Sequence, residues 1–347
     1  MVRRFRPPLR WLIRRERDSP GTRRSDIETS QDDREESVQI LRPDAVVTPQ
    51  GVRVESYVTL AHGRIVDVAD EPRHPDLVEE LPGRILLPGL VNAHSHAFQR
   101  AIRGRVQRVD NPQDDFWSWR TAMYGVANGL DAQGVLAVSR LAFLEMALAG
   151  VTAVGEFHYL HHDRDGRAYA DPDELAHRVI EAALDVGIRI ALLRVVYARK
   201  EPGVPLSVEQ RRFRDADVRA PLAAVERLSA HADPRVSVGL APHSVRAVPP
   251  QWLAALAGHD LPLHAHVAEQ PREVALCLDE TGRSPLACFD EAGLVDAQFS
   301  AVHLTWPSDG DLELLAARSG GVVVCPTTEL DLADGLFPAE QWRGRTA

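Results

Sequence analysis

The sequence predicts an α/β fold, a (β/α)8 TIM-like barrel behind a small N-terminal β unit. Three observations lead there. Seven short apolar runs follow one another, most of them separated by stretches long enough to hold a helix. Polar residues able to do chemistry recur where those runs stop. A compact patch of alternating Val, Ile, Thr and Tyr precedes the first run. The 347 residues, 44% hydrophobic and 26% charged, are enough for one large barrel with an accessory unit.

Residues 1–39 read as a disordered, arginine-rich tail, because TSQDDREES shows no apolar periodicity and Arg10 interrupts the one apolar patch. A start placed too far upstream is the other reading of this segment. The net charge of −10 disfavours nucleic acid as a partner, and no apolar stretch approaches a membrane span, so neither nucleic acid nor membrane is expected. Cys277, Cys288 and Cys325 form no CxxC pair, which fits a reducing cytoplasm with small buried thiols. Residues 40–87 read as a small antiparallel β unit with turns at Gln50-Gly51 and His62-Gly63-Arg64.

Residues 88–347 carry the barrel. The run from Ile85 to Val91 reads as its first buried strand and ends in Asn92-Ala93-His94-Ser95-His96. Residues i and i+2 of a strand share a side, so His94 and His96 can aim two imidazoles at one point. A helix follows over Ala132–Leu148, closed by Gly150. A second helix is expected to start at Asp171-Pro172, with cap and first-position proline, and to end at Gly187. TAVGEFHYL, IALLRVVYA, VSVGLAPH, LPLHAHVAE, SAVHLTW and GVVVCPTTE supply the remaining strands.

The strand ends carry Glu156, His158 and Tyr159, then His243, then His264, His266 and Glu269, then His303, then Thr327, Thr328 and Glu329. In a barrel these ends meet on one face, where active sites of this fold lie. A divalent ion on His94, His96 and a third imidazole lowers the pKa of a bound water to about 7. His266 is taken as the third ligand because Glu269 follows it at i+3, close enough to move the water's proton to a leaving nitrogen. His303 would polarise a developing oxyanion or orient the water.

LPGLVNAHSH, HVAE and His303 resemble the single-metal deaminase branch of the amidohydrolase superfamily. HSHAFQRA, FWSWR, GEFHYLHHD, APHSVRAV, HVAEQ and CPTTE, in that order, resemble the N-formimidoylglutamate deiminases of histidine breakdown, from about Val47 to Ala347. The resemblance implies a metal-dependent hydrolase barrel with an N-terminal β-sandwich and one divalent ion, Zn2+ being the expected one. It implies hydrolysis of N-formimidoyl-L-glutamate to N-formyl-L-glutamate and ammonia. His94, His96 and His266 are then metal ligands, Glu269 is the acid/base, and Gln99, Arg120, Tyr159, His243 and Arg246 match substrate-contacting positions. A dicarboxylate substrate suits arginine, whose guanidinium pairs bidentately with carboxylates. A homodimer is a further open expectation.

The family barrel has an eighth strand whose aspartate completes the metal site, and this chain stops at QWRGRTA, where that strand should begin. Asp331 and Asp334 follow the seventh strand and are poor substitutes. The expectation is a fragment, a truncated reading frame, or a strand count that is wrong. Two other functions stay open: a related deaminase for a nucleobase or another amidine, and an inactive remnant.

Overall fold

The structure, a computed structural model, describes residues 38–62, 64–106 and 116–345, without the side chains of Phe116 and Trp117. Of the segment read as a tail, residues 1–37 lie outside them, while Gln39 is already the first residue of a strand. The chain divides into two compact units between Pro88 and Gly89.

The first unit is one five-stranded sheet: β1 (Gln39–Thr48), β2 (Gly51–Val54), β3 (Tyr57–Ala61), β4 (Arg64–Ala69) and β5 (Val78–Leu86). The expected hairpins are present: Thr48 pairs with Gly51 across a two-residue turn, and Ala61 with Arg64. Two expectations are corrected. β5 runs parallel to β1, so the sheet is mixed and not antiparallel. The strands also hydrogen-bond into one sheet, not into the two layers of a sandwich. The crossover through Pro75–Leu77 is what permits the parallel pairing, because a tight turn cannot join parallel neighbours.

The second unit is a seven-stranded parallel sheet in sequence order. Its strands are β6 (Leu90–Ser95), β7 (Val151–His158), β8 (Arg189–Val196), β9 (Val236–Pro242), β10 (Leu263–Val267), β11 (Phe299–His303) and β12 (Gly321–Val323). The connections hold α1 (Phe116–Gly129), α2 (Ala132–Leu148), α3 (Glu174–Val186), α4 (Arg219–Ser229), α5 (Pro250–Ala255), α6 (Pro271–Thr281), α7 (Pro285–Glu291) and α8 (Asp311–Ala317). After β12 come α9 (Pro326–Asp331) and α10 (Ala339–Trp342). This is the β-then-α order of a TIM-type barrel. Its core is the inward face of the strands and helices, Ile190, Leu192, Leu193, Val179 and Ile180 among others. Each such side chain contributes about 1.5–3 kcal/mol on burial.

The run Ile85–Val91 is not one strand. Pro88 and Gly89 interrupt it, leaving Ile85 and Leu86 in β5 and starting the first barrel strand at Leu90. Leu90 and Val91 are exposed, because among the described residues β6 pairs only with β7. The helix expected from Asp171-Pro172 begins at Glu174, with Asp173 at its N-cap. Asp171 instead accepts a hydrogen bond from the Asp173 amide in the preceding turn. Gly187 ends that helix in the left-handed region, φ 92°, as its sequence position predicts. The seventh strand is only three residues long, and CPTTE leaves it to open α9, where Pro326 starts a helix it could not continue as a central strand.

Candidate active site

The end of β6 sets the first two imidazoles. His94 lies in the strand and His96 just beyond it, and their Nε2 atoms come within 3.0 Å. Gly155 on β7 allows this strand to sit close, since a Cβ there would meet the Ala93 carbonyl oxygen at 2.5 Å. The Ala97 amide donates to Glu156 Oε1 at 2.7 Å and pins the turn that carries His96. Burial pushes that carboxyl up to about 8. His266, on β10, brings its Nε2 to 3.3 Å from His94 Nε2. His264 stays out of the cluster of ligand atoms.

Tautomers follow from the outer partners. His96 Nδ1 lies 3.0 Å from the Phe157 carbonyl and His266 Nδ1 lies 3.1 Å from the His243 carbonyl. A carbonyl can only accept, so both Nδ1 atoms carry the proton and both Nε2 lone pairs point inward. Burial lowers His96 to about 4 and holds His94 and His266 well below the ordinary imidazole range. Three neutral nitrogens aimed at one another repel unless something positive lies between them. The donor set therefore fits a divalent cation.

Glu269 lies beyond β10, after Ala268 at φ 49°, and its Oε1 is 3.5 Å from His303 Nε2. His303 ends β11 in the left-handed region, φ 73°, followed by Leu304 at φ 50°. Non-glycine residues seldom hold that conformation, and such strain concentrates at functional sites. Burial alone would lower His303, but Glu269 and Glu329 outweigh it and raise it. Thr305 Oγ1 donates to the Glu269 carbonyl at 2.8 Å and ties the two strand ends together.

The five positions matched to substrate contacts border the same cavity of about 650 Å³ as the imidazoles, Glu269 and His303. Gln99 Nε2 donates to the Tyr159 hydroxyl at 2.8 Å. Arg120, on α1, reaches the Tyr197 hydroxyl at 3.4 Å and lies 5.3 Å over the Tyr124 ring. Arg246 donates to the Lys200 carbonyl at 2.9 Å. His243 stands between the two groups, its ring 4.8 Å from His266 and 4.8 Å from Tyr197.

Sequence reasoning missed Tyr197. It follows β8, the one interior strand from which no end residue was taken. Burial raises its phenol, yet Arg246 and Arg120 outweigh that and bring it below the ordinary value. Gln210 Nε2 donates to the same hydroxyl at 2.8 Å. The available signal was position alone, a tyrosine where neighbouring strands end in histidine. Glu329 was placed at a strand end. It is instead a buried residue of α9 that accepts from His303 Nδ1 at 3.2 Å.

The amidohydrolase family pattern matches residues 85–342, nearly three quarters of the chain. The chain belongs to the amidohydrolase family. An amidohydrolase crystal structure from Brucella melitensis superposes with a TM-score of 0.82 at 33% identity, covering 88% of this chain and 69% of that one. A zinc-bound adenosine deaminase from Xanthomonas campestris gives a TM-score of 0.68 at 25% identity, over 88% and 66% of the two chains. Among curated relatives, the formimidoylglutamate deiminase of Pseudomonas aeruginosa is 44% identical over 76% of this chain and 59% of its own length. A 5-methylthioadenosine/S-adenosylhomocysteine deaminase of Natronomonas pharaonis is 31% identical over 88% of this chain and 64% of its own length. This amidohydrolase thus spans less than two thirds of the curated relatives it matches. No helix among its described residues is long and apolar enough to cross a membrane.

Proposed function

We propose that this amidohydrolase is a deiminase that converts N-formimidoyl-L-glutamate and water to N-formyl-L-glutamate and ammonia, a step of histidine breakdown. The observation that carries the reading is the pairing of Arg120 and Arg246 around Tyr197, one imidazole away from the metal-ligand cluster. A dicarboxylate amidine needs cationic anchors at one end and hydrolytic groups at the other. Methylthioadenosine carries no carboxylate for two guanidiniums to neutralise, and S-adenosylhomocysteine carries a single one. The 44% identity to a formimidoylglutamate deiminase supports the same substrate.

His94, His96 and His266 would hold the cation, and three neutral imidazoles suit Zn2+. The zinc-bound relative supports that choice of ion. When bound, the ion supplies the Lewis acidity that makes water nucleophilic near neutral pH. Glu269 takes the proton of the attacking water and returns it to the departing nitrogen, so that the carbon–nitrogen bond to ammonia breaks as the formyl carbonyl forms. His303 faces Glu269 through Nε2 and stabilises charge developing on the reacting oxygen. Arg120 and Arg246 bind the carboxylates, and Gln99 and Tyr159 hydrogen-bond within the same wall.

Ammonia release by the metal-replete protein tests the reading. N-formimidoylglutamate is compared with 5′-methylthioadenosine and with a simple alkyl formamidine. Strong preference for the dicarboxylate is expected. Release from the nucleoside, with none from formimidoylglutamate, rules the reading out.

A further inference from the structure

We propose that His303, Cys325 and Glu329 form a second cation site, fitted to a thiophilic divalent ion such as Zn2+, beside the three-imidazole cluster. The chain makes this juxtaposition in two steps. β11 and β12 pair in parallel, Val302 opposite Val323, so residues just beyond their ends are neighbours. Cys325 caps α9 and Glu329 stands one turn along it, so thiol and carboxylate share a face at i and i+4. His303 reaches them from the next strand end.

The geometry is near what an ion requires. One ligand atom from each of the three residues lies within 4.8 Å of the other two, and His303 Nδ1 to Glu329 Oε1 is already 3.2 Å. Metal bonds of about 2.0–2.3 Å in a tetrahedron set ligand atoms roughly 3.3–3.8 Å apart. Imidazole, thiolate and carboxylate together are a zinc-type donor set.

A second observation points to a missing positive partner. Glu329 Oε2 and Asp334 Oδ2 are buried and have no hydrogen-bond partner. Polar atoms in such positions are nearly always satisfied. Asp334, Glu329 and Glu269 all act electrostatically on His303, which makes this corner rich in negative groups. Burial, together with Glu269 and Glu329, raises Cys325 to about 12 and Asp334 to about 8, and His303 offsets only part of the rise at Asp334. A bound divalent ion deprotonates a coordinating thiol and removes that penalty. The simpler role for Glu329, a hydrogen bond that orients His303, leaves Oε2 and the thiol without use. An ion at Nδ1 would hold His303 in the Nε2–H tautomer, with that proton toward Glu269 at 3.5 Å.

The test uses metal alone, so its outcome is independent of the substrate reading above. The apoprotein is equilibrated with Co2+, and metal content and near-ultraviolet absorption are recorded. Two cobalt ions per chain are expected, the second with a sulfur-to-cobalt charge-transfer band. Cys325→Ser should bind one ion and lose the band, and Glu329→Gln should weaken the second ion roughly 10–100-fold or more. Cys277→Ser and Cys288→Ser should keep both the ion and the band. A wild-type chain that binds one ion without the band overturns the proposal. So does a band that survives Cys325→Ser.

Discussion

Around His94 the side chains are neutral imidazoles, steered by the backbone carbonyls of Phe157 and His243 and kept unprotonated by burial. Around Tyr197 they are permanent cations, Arg120 and Arg246, laid against phenols. Both groups border one cavity, with His243 between them. Burial removes charge from the first group because an imidazole can shed its proton, while a guanidinium cannot and must find anionic or polar company. The first group is therefore suited to holding a cation and the second to holding an anion. Substitutions should accordingly separate into losses of metal and turnover at one end and losses of substrate affinity at the other.

The largest effect is expected from His266→Ala. Removing one of three ligands should strip the cation, so metal analysis should fall far below one ion at the three-imidazole site and ammonia release should reach background. Full metal retention would take His266 out of the ligand set. Next comes Glu269→Gln, for which turnover should drop roughly 10²–10⁴-fold with metal content nearly intact. Metal lost together with turnover would make Glu269 a ligand.

At the other end, Arg120→Met or Arg246→Met should raise KM for the dicarboxylate by about 2–5 kcal/mol, the range for removing one partner of a buried charged contact. An alkyl formamidine should be much less affected. Equal loss on both substrates would assign these arginines a structural role and dissolve the contrast between the two ends. The smallest effect belongs to Tyr197→Phe. Losing one hydroxyl that accepts from Arg120 and Gln210 should cost about 0.5–1.5 kcal/mol in KM, with kcat little changed. A dominant fall in kcat would move Tyr197 to the catalytic end.

Much of this was legible in the residues because it is local. Alternating apolar runs and helical stretches specify the parallel sheet, and the i, i+2 spacing of His94 and His96 is a property of any strand end. Where local signals failed, a competing local feature had won. Pro88 and Gly89 split an apolar run that read as one strand, and Pro326 turned the end of a strand into a helix. The parallel pairing of β5 with β1 had no signature, since pairing direction depends on the path of the chain and not on strand composition.

The sequence by itself determined the barrel class and the family and singled out the three imidazoles and Glu269 that border one cavity, because periodicity, spacing and motif order survive without coordinates. The tertiary structure alone decided that Tyr197 lies between two arginines, and that carbonyls from β7 and from the end of β9 set the histidine tautomers. It alone decided that Glu329 turns back beside Cys325 onto His303. The hydrogen bonds among these contacts join residues from 23 positions apart, His243 to His266, up to 77, Arg120 to Tyr197. They exist only because particular strand ends are brought together by the order and curvature of the sheet, and no stretch of sequence encodes which ends those are.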